Sequence, residues 1–513
     1  MELLKTIRRL VPFISRKKVR KYLAAQNSRL HMGWITQPSL IDADIRGGLT
    51  SLRARSREEA QNNGYYKGFL RDLTENVVGH QGFQLISKPM DSDTEVDLEA
   101  KSTIERHWKI WGLRAQRPEL SGMAFKQFCK LLIRSVAQDG EVFIWERAGS
   151  TVNPYRYSVQ IVEPGAIDVE LEEPETANGT TIKMGIEFDR SRFPVAYHVL
   201  ASERDLEFFI PPSTGRRTIR VPSDQMIHIF LHDGVWQSRG VPWIHPALMR
   251  FNQLNKYEEA ELVAARAGAS KMGFISDAED GTGYTGDKDE DEADEDHLIE
   301  ELEPGMIGRL KAGQTFTGFN PDHPNAVFKD FVKINLRGIA AALGESYNQF
   351  SQDLEGVSFG SLRQGALSER AVYMGLQEFV IEEALDRIFS NWLEMSLRAG
   401  AITNRNGRPL PIERLEKFLE HEWQPRRWEW IDPLKDATAD RLQKDDLTMS
   451  RSEIIRKRGR QPVEVFQEIA AENVLMGELG ITSGQVDANI GGNADDRLAA
   501  LEIAVSEIAE QEQ

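Results

Sequence analysis

Two helix-forming stretches that bracket a turn-rich insertion constrain the fold more than any other feature of this chain. The first, PALMRFNQLNKYEEAELVAARAGASKM (246–272), has Pro246 in its first turn and predicts a helix of roughly 39 Å. The second, AVFKDFVKINLRGIAAALG (326–344), predicts a helix that ends at Gly344. The AARAGAS half of the first helix is nearly all small, so we expect it to pack closely against a neighbour.

Two helices that flank a turn-rich insertion cannot both bury their two faces within one chain. If identical copies close into a ring, each subunit covers the faces of the next through a heterologous interface. The alternative is an intramolecular helical hairpin inside an ordinary bundle. The residues of the two stretches leave both arrangements open.

The rest of the pattern predicts an α+β fold. Residues 49–79 and 100–140 are mostly helix-like, and the short apolar segments of 155–232, separated by Pro, Gly and Asp, predict an antiparallel sheet. Residues 366–399 predict the longest helix. Three further features predict one more strand at Trp428 and Trp430, a helix start at Ser450 with Glu453, and another at Pro462.

Charge is distributed unevenly along the 513 residues. The formal net charge is −17, but residues 277–303 alone hold 14 acids and one lysine, so the remainder is close to neutral. Residues 1–21 carry eight basic residues and one acid. A single cysteine, Cys129, excludes an internal disulfide framework, and no apolar run approaches the roughly 20 residues that span a bilayer. The pattern indicates local electrostatic roles and no membrane partner.

Short motifs that suggest chemistry have unsuitable surroundings. GTGYTG (281–286) precedes acids that would repel a phosphate, and GVSFG with Ser358 lacks the strand that a nucleophile elbow requires. His228 and His232 would lie about 13 Å apart along a strand. We therefore predict no catalytic, metal-binding or cofactor-binding residue. A serine hydrolase using Ser358 and a non-ring structural adaptor remain the alternative functions.

Several long blocks of the sequence, taken in their order along the chain, carry a family resemblance. The blocks are SLRARSREEAQNNGYYKGFLRDLTENVVG (51–79), DGEVFIWE (139–146), QSRGVPWIHPALMRFNQLNKYEEAELVAARAGASKMGFI (237–275), LEPGMIGRLKAGQTF (302–316), WEWIDPLKDATADRLQ (428–443) and SRSEIIRKRGRQPVEVFQEIAAE (450–472). Together with the order of elements, they make the chain resemble tailed-phage portal proteins of the lambda family over most of residues 45–475.

The resemblance implies a ring oligomer, typically a dodecamer, at one capsid vertex, with a portal fold of wing, stem, clip and crown. Its parts would be a basic N-terminal arm (1–25), the wing (26–245 and 365–440), two stem helices (246–272 and 326–344), a clip (273–325) with the acidic insertion 277–303, a tunnel loop (345–364), and a crown with the C-terminal tail (441–513).

The implied partners are double-stranded DNA passing through the channel, the terminase large subunit, head–tail connector proteins, and the major capsid protein and scaffold. The implied location is the virion, after assembly in the host cytoplasm. The expected site residues are Asn348, Gln349, Ser351, Gln352 and Asp353 in the tunnel loop; Lys329, Lys333 and Arg337 on the stem; and Asp289, Glu290, Asp291, Arg309 and Lys311 for clip docking.

Electrostatics suggests how such a channel would work. Each phosphate neutralised by Lys or Arg strengthens salt-sensitive binding, so a conduit in which DNA slides favours a near-neutral or negative lining. Lys333 and Arg337 would make a few weak contacts with DNA, or else pair with acids at 258, 259 and 261 of the first stem helix. The acidic insertion either presents charge to a basic partner or is a solvated loop without one.

Overall fold

The chain alternates helices with short antiparallel strands, so the predicted mixed helix and sheet content is confirmed. The computed structural model describes residues 39–92, 95–176, 179–200, 218–269, 273–277, 314–318, 328–428, 433–458, 460 and 462–479. Two compact units are present, one formed by residues up to 75 with 106–415 and the other by 76–105 with residues from 416 onward. None of the helices in these ranges is both long enough and apolar enough to cross a membrane.

In chain order, the helices are α1 (Ile41–Asn62), α2 (Gly64–Val77), α3 (Leu98–Trp111), α4 (Phe125–Asp139), α5 (Leu248–Ala269), α6 (Phe328–Leu343), α7 (Tyr347–Ser351), α8 (Phe359–Val380), α9 (Asp386–Arg398), α10 (Leu415–Leu419), α11 (Pro433–Asp445), α12 (Arg451–Lys457) and α13 (Pro462–Leu479).

The strands are β1 (Gln84–Ser87), β2 (Met90–Ser92), β3 (Glu95–Val96), β4 (Glu141–Ala148), β5 (Tyr157–Val162), β6 (Thr181–Lys183), β7 (Ile186–Phe188), β8 (Pro194–Leu200), β9 (Thr218–Pro222), β10 (Met226–Phe230), β11 (Gly273–Asp277), β12 (Gln314–Gly318) and β13 (His421–Gln424).

Asn63 divides the predicted helical region 49–79 into two helices. Its backbone is extended, which ends α1, and its Oδ1 accepts a hydrogen bond from the backbone N–H of Tyr66, 3.1 Å away. An asparagine side chain satisfies one of the free N–H groups at a helix start in this way. Asn63 therefore both ends α1 and caps α2.

Two antiparallel sheets form where the sequence predicted one. The first has the strand order β10-β4-β5 and the second has the order β6-β7-β8-β9. A tight turn joins β6 to β7, because Met184 and Gly185 both have positive φ. The sheets share one hydrophobic cluster, which includes Phe143 of the first sheet and Tyr197 and Val199 of the second. The two sheets therefore bury part of their apolar surface in a common core.

An aromatic cluster packs helix α9 against α3 and α4. The Trp108 ring lies 4.9 Å from that of Trp392, 5.7 Å from that of Phe389 and 5.1 Å from that of Phe125, measured between ring centroids. Edge-to-face aromatic pairs of this kind add about 0.5–1.5 kcal/mol each beyond the area that they bury. The cluster thus holds α9 against the C-terminal part of α3 and the start of α4.

The longest helix begins earlier than the sequence predicted. It runs through α8, a π-helical turn at Ile381–Leu385 and α9, and so starts at Phe359 rather than at 366. The hydroxyl of Ser358 caps it by accepting a hydrogen bond from the backbone N–H of Ser361. The glycine-rich GVSFG segment was interpreted as loop, but its serine supplies the cap that lets the helix begin there.

The described residues of the second unit include two two-stranded ladders, β1–β13 and β2–β3, and the helices α11, α12 and α13. Strand β1 pairs antiparallel with β13, Gln84 opposite Gln424 and Ser87 opposite His421. The prediction of a strand at Trp428 is therefore wrong, because the strand lies at 421–424 and Trp428 follows it. Trp430 lies outside the described residues. Indole Nε1 of Trp428 donates to Asn76 Oδ1 at 2.9 Å. The helix starts predicted at Ser450 and Pro462 are confirmed.

Gly240 and Gly140 pass each other too closely to admit a side chain at 240. A Cβ on Gly240 would lie 2.1 Å from the carbonyl oxygen of Gly140 and 2.6 Å from Cβ of Phe230. We expect Gly240→Ala to destabilise the first unit by about 1–3 kcal/mol, because the obstructing atoms are mainly backbone. Urea denaturation of the full chain measures the loss.

The matched control is Gly48→Ala in α1, where the added Cβ meets only Leu52 Cδ1 at 3.7 Å. That substitution should be neutral or stabilising, because alanine forms helix more readily than glycine by up to about 1 kcal/mol. Equal denaturation midpoints for the two variants would contradict the close backbone approach.

Candidate functional site

The bracketing helices of the sequence pattern are α5 and α6, and a strand pair lies between them in the chain. Strand β11 pairs antiparallel with β12, from Gly273 opposite Gly318 to Asp277 opposite Gln314. Helix α5 contacts α6 through Tyr257, whose ring centroid lies 5.8 Å from that of Phe328 and 4.7 Å from that of Phe331. In chain order, α5 therefore precedes the segment that contains β11 and β12, and α6 follows it.

Large apolar side chains on this helix pair are exposed to solvent. On α5, Leu262 is 68% exposed and Val263 is 56% exposed, and on α6 Ile334 is 66% exposed. Helix α8 continues the pattern with the half-exposed Leu367, Val372 and Met374. Exposed apolar side chains gathered on one pair of helices are candidates for an interaction surface. In the small-residue half of α5, burial is described only as far as residue 266; there Ala264 is half-buried and Ala265 is exposed.

The predicted tunnel-loop segment contains a helix, α7, anchored at its base by one aromatic side chain. Phe350 is buried, and its ring centroid lies 6.0 Å from that of Tyr65 and 6.2 Å from that of Phe251. The side-chain oxygen of Ser346 caps α7 by accepting from the backbone N–H of Gln349. The segment is therefore an ordered helical turn held on α2 and α5.

Of the five residues expected to face DNA, only Gln352 is exposed, and the others are half-buried. Gln349 Nε2 donates to Asp72 Oδ2 at 3.3 Å, and the Ser351 hydroxyl donates to the Tyr347 carbonyl at 2.6 Å. Asp353 accepts a hydrogen bond from the Tyr347 hydroxyl at 2.8 Å. In the single chain most of these polar groups therefore stabilise the segment internally.

The basic stem residues contact this same segment. Lys329 Nζ lies 2.5 Å from Glu355 Oε2, and Lys333 Nζ lies 3.7 Å from Asp353 Oδ2. Arg337 lies over the Tyr347 ring, 5.4 Å from its centroid. The suggested pairing with the acids of α5 is thus replaced by pairing with the loop, whereas Glu258 of α5 hydrogen-bonds Tyr65.

These ion pairs are weak and screened by salt. The Lys329 and Glu355 side chains are both more than half exposed, and ion pairs between exposed side chains contribute little to stability. The arrangement holds the loop near α6 without a large barrier to separation. The basic groups therefore remain available to an anionic partner that offers stronger contacts.

Several predicted features lie outside the described residues. They are the basic arm 1–25, the acidic insertion from 278 onward, the GTGYTG motif, and the docking residues Asp289, Glu290, Asp291, Arg309 and Lys311. Their assigned roles stay predictions.

Two of the three motifs that suggested chemistry lie among the described residues, and their side chains have structural roles. Ser358 caps α8, and its hydroxyl lies 2.9 Å from that of Ser361. His228, in β10, donates from Nε2 to Glu141 Oε2 at 2.9 Å, while His232 follows the strand. Across the described residues, no group of three or more His, Cys, Asp or Glu side chains is arranged to hold a metal ion.

The sequence interpretation missed a buried charge network around Glu141. The Glu141 carboxylate is fully buried and accepts hydrogen bonds from Arg53, from Arg239 Nε at 2.7 Å, and from the backbone N–H of Gly240 at 2.9 Å. Burial alone would raise the pKa of Glu141, but the Arg239 and Arg53 charges and the His228 hydrogen bond hold it well below its ordinary value. The sequence signal that could have revealed this network is the position of Glu141 at the first residue of an otherwise largely apolar strand.

A second missed site is Glu345, at the junction of α6 and α7. Its carboxyl is buried, accepts a hydrogen bond from the Tyr373 hydroxyl at 3.0 Å, and lies near Asp72 and Glu369. Glu345 lies one residue beyond the predicted helix end at Gly344, in a segment interpreted as polar loop. Nothing local in the sequence distinguishes it from an exposed loop acid.

Comparison with known proteins gives consistent matches along the chain. A family model described as "Phage portal protein, lambda family" matches residues 27–377. The "Probable portal protein" of Halomonas phage phiHAP-1 is 34% identical over 464 residues, which cover 90% of this chain and 88% of that protein. "Portal protein B" of Escherichia phage lambda is 23% identical over 437 residues, covering 78% of this chain and 77% of that protein.

Among solved structures, a chain from the "Virion of native gene transfer agent (GTA) particle" is similar, with a TM-score of 0.43 and 13% identity. The similarity covers 81% of this chain and 95% of that chain.

Proposed function

This chain belongs to the lambda family of phage portal proteins, a structural family, and we propose that it forms a ring at one capsid vertex through which DNA enters and leaves. The ring is expected to be a dodecamer. Its partners would be double-stranded DNA, the terminase large subunit during packaging, head–tail connector proteins afterwards, and the major capsid protein with its scaffold. The protein would assemble in the host cytoplasm and remain in the virion.

The observation that carries the proposal is the exposed apolar face of α5 and α6. Leu262, Val263 and Ile334 are each more than half exposed on two helices that contact one another. Full burial of one such side chain contributes about 1.5–3 kcal/mol. A heterologous contact repeated around a closed ring would cover the face on every subunit, without leaving an open end.

The mapped parts fit this assembly. Helices α5 and α6 would be the stem, the strand pair β11–β12 would begin and end the clip, and α7 would lie on the tunnel loop facing DNA. The half-buried hydroxyl and amide groups of the loop, together with ion-paired stem lysines, would give a lining with little free positive charge. Such a lining favours sliding, because few phosphates would be neutralised at once.

Electron microscopy and native mass measurement of the purified full-length protein test the proposal. We expect rings with a central hole and a mass that is a multiple of the 58.1 kDa chain, twelve copies being the expected number. A compact single-copy or low-order particle under conditions that support capsid assembly would contradict it. That outcome would favour the non-ring adaptor.

A further inference from the structure

The junction between α6 and α7 turns at a glycine in the left-handed backbone conformation. Gly344 ends α6 with a φ of +76°, a conformation that glycine adopts without strain. The backbone N–H of Glu345 returns to the carbonyl of Ala340 at 3.0 Å, which completes a helix-ending motif. Rotation about Gly344 would move everything that follows, beginning with Glu345 and α7.

The Glu345 carboxyl occupies an apolar cleft with one oxygen unsatisfied. The side chain is 9% exposed, Oε1 accepts from the Tyr373 hydroxyl, and Oε2 has no hydrogen-bond partner among the described residues. The cleft has a volume of about 380 Å³, and none of the described residues lining it is a lysine or arginine. An ionised carboxylate is costly in such surroundings because no cation compensates it.

The titratable groups that face Glu345 are mostly acidic. Asp72 of α2 and Glu369 of α8 lie close enough to repel a charge on it, and Tyr373 of α8 donates to it. Asp233 and His245, from the segment between β10 and α5, line the same cleft.

Two of the neighbouring acids also hold α7 in place. Glu369 Oε1 accepts from the backbone N–H of Ser346 at 2.8 Å, and Asp72 Oδ2 accepts from Gln349 Nε2 at 3.3 Å. The groups that would repel an ionised Glu345 are therefore the same ones that fix the start of α7. Charge on Glu345 opposes the geometry that those two contacts require.

We propose that Glu345 is a proton-operated latch: in its neutral form it holds α7 against α2 and α8, and its ionisation releases the helix about the Gly344 hinge. The latch rests on contacts that lie within one chain. Its significance for a DNA channel, where α7 would be the moving part of the tunnel loop, rests on the proposed function.

The direction of the pH effect follows from the environment of the carboxyl. Burial, with the Asp72 and Glu369 charges adding to it, raises the pKa of Glu345 to about 8, although the Tyr373 hydrogen bond opposes the shift. Between the ordinary carboxyl pKa and this value, the folded junction keeps a proton that an open junction would lose. The closed state is therefore favoured below that range and becomes progressively less favoured as pH rises to about 8.

A fluorophore at position 352 reports the latch directly. Gln352 is exposed at the end of α7, and the chain's single cysteine, Cys129, is buried, so Gln352→Cys can be labelled selectively. With an environment-sensitive, tyrosine-quenched dye on the full-length protein, we expect the emission to titrate between pH 6 and 9.5 with a midpoint near 8. In Glu345→Gln, which is nearly isosteric but does not titrate, the transition should disappear.

Glu369→Gln is the informative companion variant. It retains an oxygen that accepts from Ser346 but removes one repelling charge, so the midpoint should move to lower pH. Glu413→Gln, an exposed acid outside the junction, should leave the midpoint unchanged.

A flat pH response in the protein with intact Glu345, or the same transition in Glu345→Gln, would overturn the latch. Because the titration is read on the chain itself, without DNA, a missing ring would refute the proposed function and leave the latch result unaffected.

Discussion

Glu141→Gln is expected to lower the free energy of unfolding of the first unit by about 3–5 kcal/mol, the cost of leaving buried charges uncompensated. The carboxylate is fully buried and is the anion shared by Arg53 and Arg239. Removing its charge leaves two buried guanidinium groups facing an amide. Total stabilities of about 5–15 kcal/mol make this loss large enough to populate unfolded chains.

The effect should be this large because Arg239 also holds the surrounding loops. Its Nη1 donates to the Met184 carbonyl at 2.5 Å, and its Nη2 donates to the Pro164 carbonyl at 3.2 Å. Arg53 of α1 adds a bond from Nε to the Asp139 carbonyl at 3.0 Å. One carboxylate therefore organises the contact of α1 with both sheets.

The measurement is urea denaturation of the full chain, followed by tryptophan fluorescence. The matched control is Glu172→Gln, because Glu172 forms an ion pair with Arg46 in which both side chains are at least one-third exposed. That pair should contribute at most about 1 kcal/mol. Equal midpoints for the two glutamine variants would show that the buried network does not stabilise the fold.

Ile334→Asp is expected to abolish the ring and leave folded single chains at micromolar concentration. Ile334 is 66% exposed on α6, so an aspartate is accommodated in the isolated chain. In a ring the same position would place an unpaired carboxylate in an apolar interface, which costs several kcal/mol in addition to the lost apolar contact of about 1.5–3 kcal/mol. The penalty recurs at every interface of the ring.

Leu262→Asp, on the exposed face of α5, should have the same effect, because both helices contribute to the proposed interface. The control is Val152→Asp, at an apolar residue that is 45% exposed in the turn between β4 and β5. Native mass measurement gives the number of copies, and circular dichroism verifies that each variant is folded. Intact rings from both helix variants would show that this face is not the interface.

The helices and most strands could be predicted from local pattern. Helix α4 carries buried apolar residues at helical spacing and ends where Gly140 adopts positive φ, as expected from its sequence. The long helix was predicted, but its predicted start at 366 was too late. The helix begins at Phe359 because Ser358 caps it, and the sequence pattern did not indicate that this serine is a cap. The strand at His421–Gln424 was missed, because its partner β1 is more than 300 residues away in the chain.

The chemically important contacts were much less predictable. Lys333 was assigned to the channel or to a pairing with α5, and its carboxylate partner is Asp353 in the following loop. His228 belongs to a histidine pair that was expected to lie along a strand, and it hydrogen-bonds a carboxylate located 87 positions away. Residue type indicated that these side chains needed partners, but spacing along the chain did not indicate which ones.

By itself the amino-acid sequence determined which segments form most of the helices, the order of the elements and the resemblance to portal proteins, because propensity, capping and periodicity act over a few neighbouring residues. Only the tertiary structure decided which acids are buried and what they face. Glu141 and Glu345 differ from exposed glutamates solely through groups brought close from distant segments, and those groups set whether each carboxyl is charged.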